Sequence, residues 1–479
     1  MSRQKLTRLL ASILVLVPTL LSGAIVDVVR QNDGFVIHSN VTPFSHFKVK
    51  VLGEVSFTFD NKDVESMSPG GYLSIERRVF LRTTKVVFEA DDRGRIARTF
   101  FRGSFSDEID QYASNWITEA ILETFYLTGI GVDSRIKRML SDGEPLWKVL
   151  ALAERMSGSE GQYNFYKAFG RQDISTEDRV AMASSAGVTV KSSYWLGLIL
   201  REWSAELAPA DDFALALVEA SDRMSSSYEK SRTLISLAEN IKMNEATGGA
   251  IADIISGISS SYEQSRAIIG VAPHLTEYPA AMDDLVQATT SISSSYEQKR
   301  SLAALSALSG SKAAHHASIA SAAANISSSY ELGQTLIGLT ALATASNEFV
   351  ENYLQSVSKI SSSYEQSRTL IALARMSDLT AEHVIGLINM ASTISSSYEI
   401  RRVLREVGSR PVLSDSEIIA YIDAAAQISS SHEQSRVMTD LIKGRELSDE
   451  MVRYAFDMAR EIDNSTSRRQ VMDLLLDRL

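Results

Sequence analysis

Ile258-Ser-Ser-Ser-Tyr-Glu-Gln-Ser-Arg266 recurs unchanged at Ile360–Arg368, and close copies stand at Met224–Arg232, Ile292–Arg300, Ile326–Gln334, Ile394–Arg402 and Ile428–Arg436. The tyrosines mark the period. Tyr228, Tyr262, Tyr296, Tyr330, Tyr364 and Tyr398 each follow the last by 34 residues, and His432 takes the seventh place. A fixed period of this size predicts a solenoid built from one repeated supersecondary unit. Counting by 34 in both directions gives ten starts, from Met156 to Ile462. Val190-Lys-Ser-Ser-Tyr194 is a fair copy, while Met156-Ser-Gly-Ser-Glu160 and Ile462-Asp-Asn-Ser-Thr466 are poor ones. Degenerate end units are expected, because a terminal repeat faces water or another domain on one side.

Within one unit, Phe349, Val350, Tyr353, Leu354, Val357 and Ile360 recur at helical spacing and predict a first helix, A. Three serines then interrupt the pattern. Ser362-Ser-Tyr-Glu365 has the S-x-x-E form of a capping box. In that form Ser362 accepts the amide of residue 365, and the Glu365 carboxylate reaches back to the amide of residue 362. A serine cap is worth about 1 kcal/mol. A second helix, B, follows with Tyr364, Ser367, Leu370, Ile371 and Ala374 on one stripe, and Glu365 and Arg368 are spaced to pair on its flank. Thirty-four is also the tetratricopeptide period, but the W-x-x-L-G-x-x-Y pattern cannot be placed on these units. The reading is a two-helix array with its own consensus.

Composition narrows the function classes. The chain has 479 residues, a net charge of −11 and no cysteine. The acidic balance argues against nucleic acid, which requires a basic footprint. The lack of cysteine excludes disulfides, thiolate catalysis, cysteine-ligated metal and a lipoprotein anchor. Arg3, Lys5 and Arg8 precede an apolar run, Leu9–Leu21, and Ser22-Gly23-Ala24 supplies small residues for cleavage. That pattern predicts a secretory signal peptide over residues 1–24, with an uncleaved anchor as the rival. Either places the rest of the chain outside the cytoplasm, periplasmic or secreted, and the membrane is a partner only if the segment stays.

Between residues 25 and 104 the period changes to two. Phe47–Val51, Val55–Phe59, Tyr72–Glu76, Lys85–Glu89 and Arg98–Arg102 alternate, with turn signals between them, among them Pro69-Gly70-Gly71. This predicts a small antiparallel β domain of about five strands with one face buried. Residues 105–144 read as a helical adapter. Its first helix is expected from Ser106 and its second over Arg135–Leu140, with Pro145 opening the repeat region 145–479. The expected fold is therefore mainly α: an α-solenoid of 34-residue two-helix repeats behind a small all-β domain.

Asp63-Val-Glu-Ser-Met-Ser-Pro-Gly-Gly-Tyr-Leu-Ser-Ile-Glu76, followed by an I-S-S-x-Y-E array, resembles a group of uncharacterised bacterial envelope proteins. Similar regions occur as extensions of sensor-transducer membrane metallopeptidases of the antirepressor type. In that group the third serine position is often Asp; here it is Ser, as at Ser261 and Ser363. The resemblance implies an envelope location and a sensor or regulatory setting, and brings no activity with it. The peptidase signature H-E-x-x-H is missing: His432-Glu433-Gln434-Ser435-Arg436 has Arg where the second His must be. His315 and His316 are adjacent and point to different faces of a helix. Asp211-Asp212 and Asp283-Asp284 fall near the starts of A helices, where acids favour the dipole. No catalytic set, metal site or cofactor site is expected.

The residues left to assign form the repeat ladder: Tyr228, Glu229, Arg232, Tyr262, Glu263, Arg266, Tyr296, Glu297, Arg300, Tyr330, Glu331, Tyr364, Glu365, Arg368, Tyr398, Glu399, Arg402, His432, Glu433 and Arg436. In the structural reading Tyr packs between units while Glu and Arg pair at the seam. In the other reading the set is a ligand-facing ladder, one rung per unit. The expected function is a non-enzymatic protein-binding scaffold of the bacterial cell envelope whose partner is another envelope protein. The alternatives are an envelope sensor or regulatory module, and a hydrolase with an unrecognised site.

Overall fold

The structure, a computed structural model, describes residues 25–31, 34–42, 45–209, 211–308 and 313–478. The targeting segment expected over residues 1–24 lies outside the described residues. The chain divides into two compact units, Met1–Leu207 and Ala208–Leu479.

The first unit opens with nine strands: β1 (Ile25–Gln31), β2 (Gly34–Thr42), β3 (Ser45–Leu52), β4 (Val55–Phe57), β5 (Val64–Met67), β6 (Tyr72–Val79), β7 (Arg82–Ala90), β8 (Ile96–Arg102) and β9 (Phe105–Asp107). Seven form one antiparallel sheet in the order β1-β2-β3-β6-β7-β8-β9, and β4 pairs with β5 separately. In the middle of the sheet Val49, Ile75, Val86 and Phe100 stand in register across four strands, and all four are buried. Alternation places them on one face. Helix α1 (Gln111–Thr128) packs on β6, and Trp116 meets Phe100 edge-on at 5.6 Å.

Three expectations need correction here. The sheet region holds more than five strands, because β1 and β2 precede Phe47. The run from Val55 is shorter than expected: it stops at Phe57, where Thr58 and Asp60 side chains organise the turn to β5. The helix expected from Ser106 begins at Gln111 instead, since Phe105–Asp107 pairs with β8 and Asp110 caps α1 by accepting the Ala113 amide at 2.7 Å.

A second adapter helix, α2 (Val132–Ser141), follows between Gly131 and Asp142. Two A/B pairs then complete the unit: Leu146–Arg155 with Ser159–Gly170, and Thr176–Thr189 with Ser193–Glu206. The poor first copy of the motif has a local cause. A Cβ at Gly158 would meet the Leu127 carbonyl oxygen at 2.5 Å, and one at Gly161 would meet it at 2.9 Å. The end of α1 lies against this helix start, so the consensus side chains have no room.

The second unit holds eight further pairs. Its B helices are Ser227–Asn240, Ser261–Val271, Ser295–Leu308, Ser329–Thr340, Ser363–Ala374, Ser397–Gly408, Ser431–Gly444 and Ser465–Leu476. Every B helix in the chain, from Ser159 to Ser465, therefore starts on a serine in the same 34-residue phase. Within the second unit, successive B helices pack on one another, and successive A helices do the same, giving two layers joined within each pair. The apolar residue ahead of the serines is buried throughout: Met224, Ile258, Ile292, Ile326, Ile360, Ile394 and Ile428 are each at most 5 % exposed. Helix propensity alone would leave helices of 11–14 residues marginal, so this packing is what holds them.

Candidate functional site

Each of the three serines has its own task. The middle one is the N-cap: Ser226, Ser260, Ser294, Ser328, Ser362, Ser396 and Ser430 accept the Glu amide three residues on at 3.3–3.4 Å. The third serine of one unit meets the first serine of the next. Ser227–Ser259, Ser261–Ser293, Ser295–Ser327, Ser329–Ser361, Ser363–Ser395 and Ser397–Ser429 form hydroxyl bridges of 2.9–3.1 Å. The expected capping box is thus only half present in these helices. The glutamate does not return to its own N-cap amide. Reciprocal boxes occur in A helices instead, at Asn244/Thr247, Thr380/His383 and Ser414/Glu417.

Four of the glutamates, Glu331, Glu365, Glu399 and Glu433, turn to the unit before them. Glu229, Glu365 and Glu399 are buried, and burying a carboxylate requires a partner. Glu263, Glu297, Glu365 and Glu399 pair with Arg266, Arg300, Arg368 and Arg402 of their own helix at 2.8–3.2 Å. Where the preceding unit carries a base three residues after its tyrosine, that base serves the next glutamate. Lys299 pairs with Glu331 at 2.5 Å, and Arg401 with Glu433 at 3.2 Å. Where that position is Ser367, its hydroxyl donates to Glu399. Where it is Gly333, it leaves room for Glu365, whose Oε2 would stand 3.1 Å from an added Cβ. The positions Lys299, Gly333, Ser367 and Arg401 are therefore the seats of the next unit's carboxylate, a role the sequence reading missed, while Ser265 in the same column accepts from Ser301 at 3.0 Å instead. Its signal was present: the unit that has Gln334 in place of the pairing arginine follows Lys299.

The structural reading of the tyrosines is overturned. Tyr228, Tyr262, Tyr296, Tyr330, Tyr364 and Tyr398 are 49–57 % exposed and do not fill the seam between units. The reason is positional. Tyrosine is the second residue of helix B, on its outer flank, while Glu and the residue two beyond it turn inward. The rings of Tyr228, Tyr262, Tyr296 and Tyr364 lie against cations rather than in a pocket. Arg266 lies 5.4 Å from the Tyr228 ring centre and Arg300 lies 5.9 Å from that of Tyr262, each reaching back from the following unit. Tyr364 has Arg368 and Arg402 both at 5.6 Å. Such contacts at exposed sites are worth about 0.5–1 kcal/mol. His432, Arg232 and Arg436 are exposed as well. The tyrosines that do fill the core are others. Tyr353 and Tyr421 of the A helices are fully buried, donating to the carbonyls of Thr369 at 2.9 Å and Val437 at 3.4 Å.

Beside Tyr364 the B helices form an open cleft of about 630 Å³. Ile337 and Ile371 supply apolar lining, and Arg368, Arg375, Arg402 and Arg405 converge on it. Arg375 is paired with Glu406 at 2.9 Å. Arg405 is exposed and forms no ion pair among the described residues.

No protein-family model matches the chain, and no curated protein does.

Among the described residues, no three His, Asp or Glu side chains are grouped to hold a metal ion. His315 bonds Asp283 at 3.0 Å, which corrects the dipole role given to that acid: Asp283 lies beyond the first turn of its helix, Pro279–Ala288. His316 is buried and its Nε2 has no hydrogen-bond partner. Burial pulls the His316 pKa below the usual histidine value, with the neighbouring His315 adding to the effect. A histidine depressed in the folded state stays neutral while the unfolded chain takes up a proton. Stability should therefore fall as pH drops below about 6.5. Melting at pH 7.5 and 5.5 checks this: His316→Leu should show a smaller loss than wild type, and an equal loss would place the pH dependence elsewhere.

Proposed function

We propose that the repeat array is a non-enzymatic protein-binding scaffold of the bacterial cell envelope and that its Tyr–Arg face is the binding surface. The observation that carries this reading is the exposure of six tyrosines at one helical position in successive units. A tyrosine repeated for packing would be buried; these are about half exposed, and Tyr228, Tyr262 and Tyr364 stand beside a guanidinium. Tyr and Arg are the residue types that dominate interface energetics, because they bury large area with little entropy loss. The envelope setting rests on Arg3–Ala24 and on the resemblance of the Ile-Ser-Ser-x-Tyr-Glu array.

The test is capture of the partner by wild type and by the Tyr296→Ala/Tyr330→Ala/Tyr364→Ala variant. The variant should lose about tenfold or more in affinity, as hot-spot truncations do. Because the rings are not part of the core, its melt should stay close to that of wild type. Undiminished capture would remove the Tyr–Arg face as the binding surface. A melt lowered by many degrees would return the tyrosines to a structural role.

A further inference from the structure

The strand ends of the large sheet are not alike. Pairing sets Ile25 opposite Asn40, Thr42 opposite Ser45, Ser45 opposite Val79, Val79 opposite Arg82, and Arg102 opposite both Thr84 and Phe105. The start of β1, the β6–β7 hairpin tip and the β8–β9 turn therefore share one end of the sheet. This end carries exposed apolar side chains: Phe80 is 66 % exposed, Leu81 90 % and Phe105 81 %. Phe80 and Leu81 are the two turn residues of the β6–β7 hairpin. Phe80 has φ 53°, a left-handed conformation for which such a turn favours glycine. The fold thus keeps a bulky aromatic where backbone geometry disfavours it, and Leu81 next to it buries almost nothing.

Cations rim the tip. Arg78 and Arg82 are exposed, and neither forms an ion pair with a described residue. Arg78 Nε donates to the Phe80 carbonyl at 3.1 Å, which fixes the guanidinium beside the turn. The opposite end is polar, with Asp91, Asp92 and Arg93 in the β7–β8 turn. Apolar side chains projecting past unpaired cations match the layering of an anionic bilayer, with acyl chains beneath negatively charged headgroups. Connectivity points the same way. On the uncleaved-anchor reading of residues 1–24, the apolar run Leu9–Leu21 lies just ahead of Ile25 in sequence, and Ile25 enters the sheet at this same end.

We propose that the Val79–Arg82 hairpin tip, with Phe105 on the same rim, rests in the headgroup layer of an anionic lipid bilayer. Phe80 and Leu81 enter the apolar boundary, and Arg78 and Arg82 hold headgroups. The inference does not depend on what binds the Tyr–Arg face.

The chain has no cysteine, so single reporters can be placed. Full-length Leu81→Cys and Asp92→Cys are each labelled with a polarity-sensitive fluorophore and mixed with vesicles of zwitterionic lipid with or without anionic lipid. With anionic vesicles the label at 81 should shift to shorter wavelength and be quenched by lipids carrying a shallow quencher. The label at 92, at the far end of β7, should do neither. Adding Arg78→Gln and Arg82→Gln to the Leu81→Cys chain should reduce the shift. A label at 81 that stays as aqueous as the one at 92, on vesicles that hold the protein, overturns the proposal, as does failure to associate with vesicles at all. A shift produced by an envelope protein extract and not by lipid would assign the tip to a protein surface instead.

Discussion

Tyr353→Ala should destabilise the array by about 4 kcal/mol, the usual scale for emptying a buried aromatic site, while Tyr364→Ala should change the melt very little. The two residues face opposite environments. Tyr353 is fully buried, its ring centre 5.7 Å from that of Phe349, and its hydroxyl donates to the Thr369 carbonyl. That hydroxyl ties an A helix to the B helix of the same unit. Burial holds the phenol well above its ordinary pKa, so it is protonated, and a donor, at neutral pH. Tyr353→Phe separates ring from hydroxyl: it keeps the volume and removes one of the two hydrogen bonds to the Thr369 carbonyl, which keeps its helical one, for about 1 kcal/mol. Because a linear array sums unit and interface terms, the loss at residue 353 should weaken one place and broaden or split the transition. Denaturant unfolding of the three variants gives the ranking. Equal losses at 353 and 364 would contradict the burial pattern.

Lys299→Met should cost about 2 kcal/mol, toward the lower side of what breaking a buried ion pair costs, because Lys299 is about a quarter exposed. Glu331 is unusual among the ladder glutamates. Its own helix offers Gln334 where the others offer arginine, so the cation comes from the preceding unit. Removing it leaves a mostly buried carboxylate without a counter-charge. Two second changes should each recover most of the loss by different routes. Glu331→Gln removes the charge that needs a partner, and Gln334→Arg supplies the partner from the position used elsewhere in the array. The equivalent change at Arg436 should be silent, since that side chain is exposed and Glu433 is served by Arg401. If neither second change rescues Lys299→Met, the lysine acts through packing of its stem rather than its charge.

The helical array was legible because its signal is local and repeated. A serine starts a helix wherever it stands in phase, and even the poor copies at Ser159 and Ser465 begin B helices on time. The sheet was read less completely. Ile25–Gln31 and Gly34–Thr42 do not alternate as cleanly as Phe47–Val51, and their membership in a sheet depends on pairing with distant strands. At the candidate site, the repeat singled out a set of residues, but the directions of their side chains differ from those expected. Ser362 and Glu365 carry the pattern of a local capping box, yet the glutamate pairs with Arg368 of its own helix and lies against Gly333 of the preceding unit, and an S-x-x-E string is the same in both cases. Tyrosine identity between copies is likewise equally compatible with a core and with a surface. What separates them is the helix flank on which the second residue falls, and that is set by the neighbouring units.

The hydroxyl bridges between third and first serines bear on how the array can change its length. The six seams from Ser227–Ser259 to Ser397–Ser429 present the same pair of atoms, so any two of the units they join share a common coupling. Loss or gain of a whole 34-residue block rejoins equivalent serines and restores the bridge. An insertion of any other size places some other residue opposite a waiting hydroxyl and, at the Lys299–Glu331 and Arg401–Glu433 seams, moves a carboxylate out of reach of its base. Length in this array is therefore quantised: it can grow or shrink by whole repeats, and a shift of a few residues is a dislocation that must be absorbed in a loop between helices.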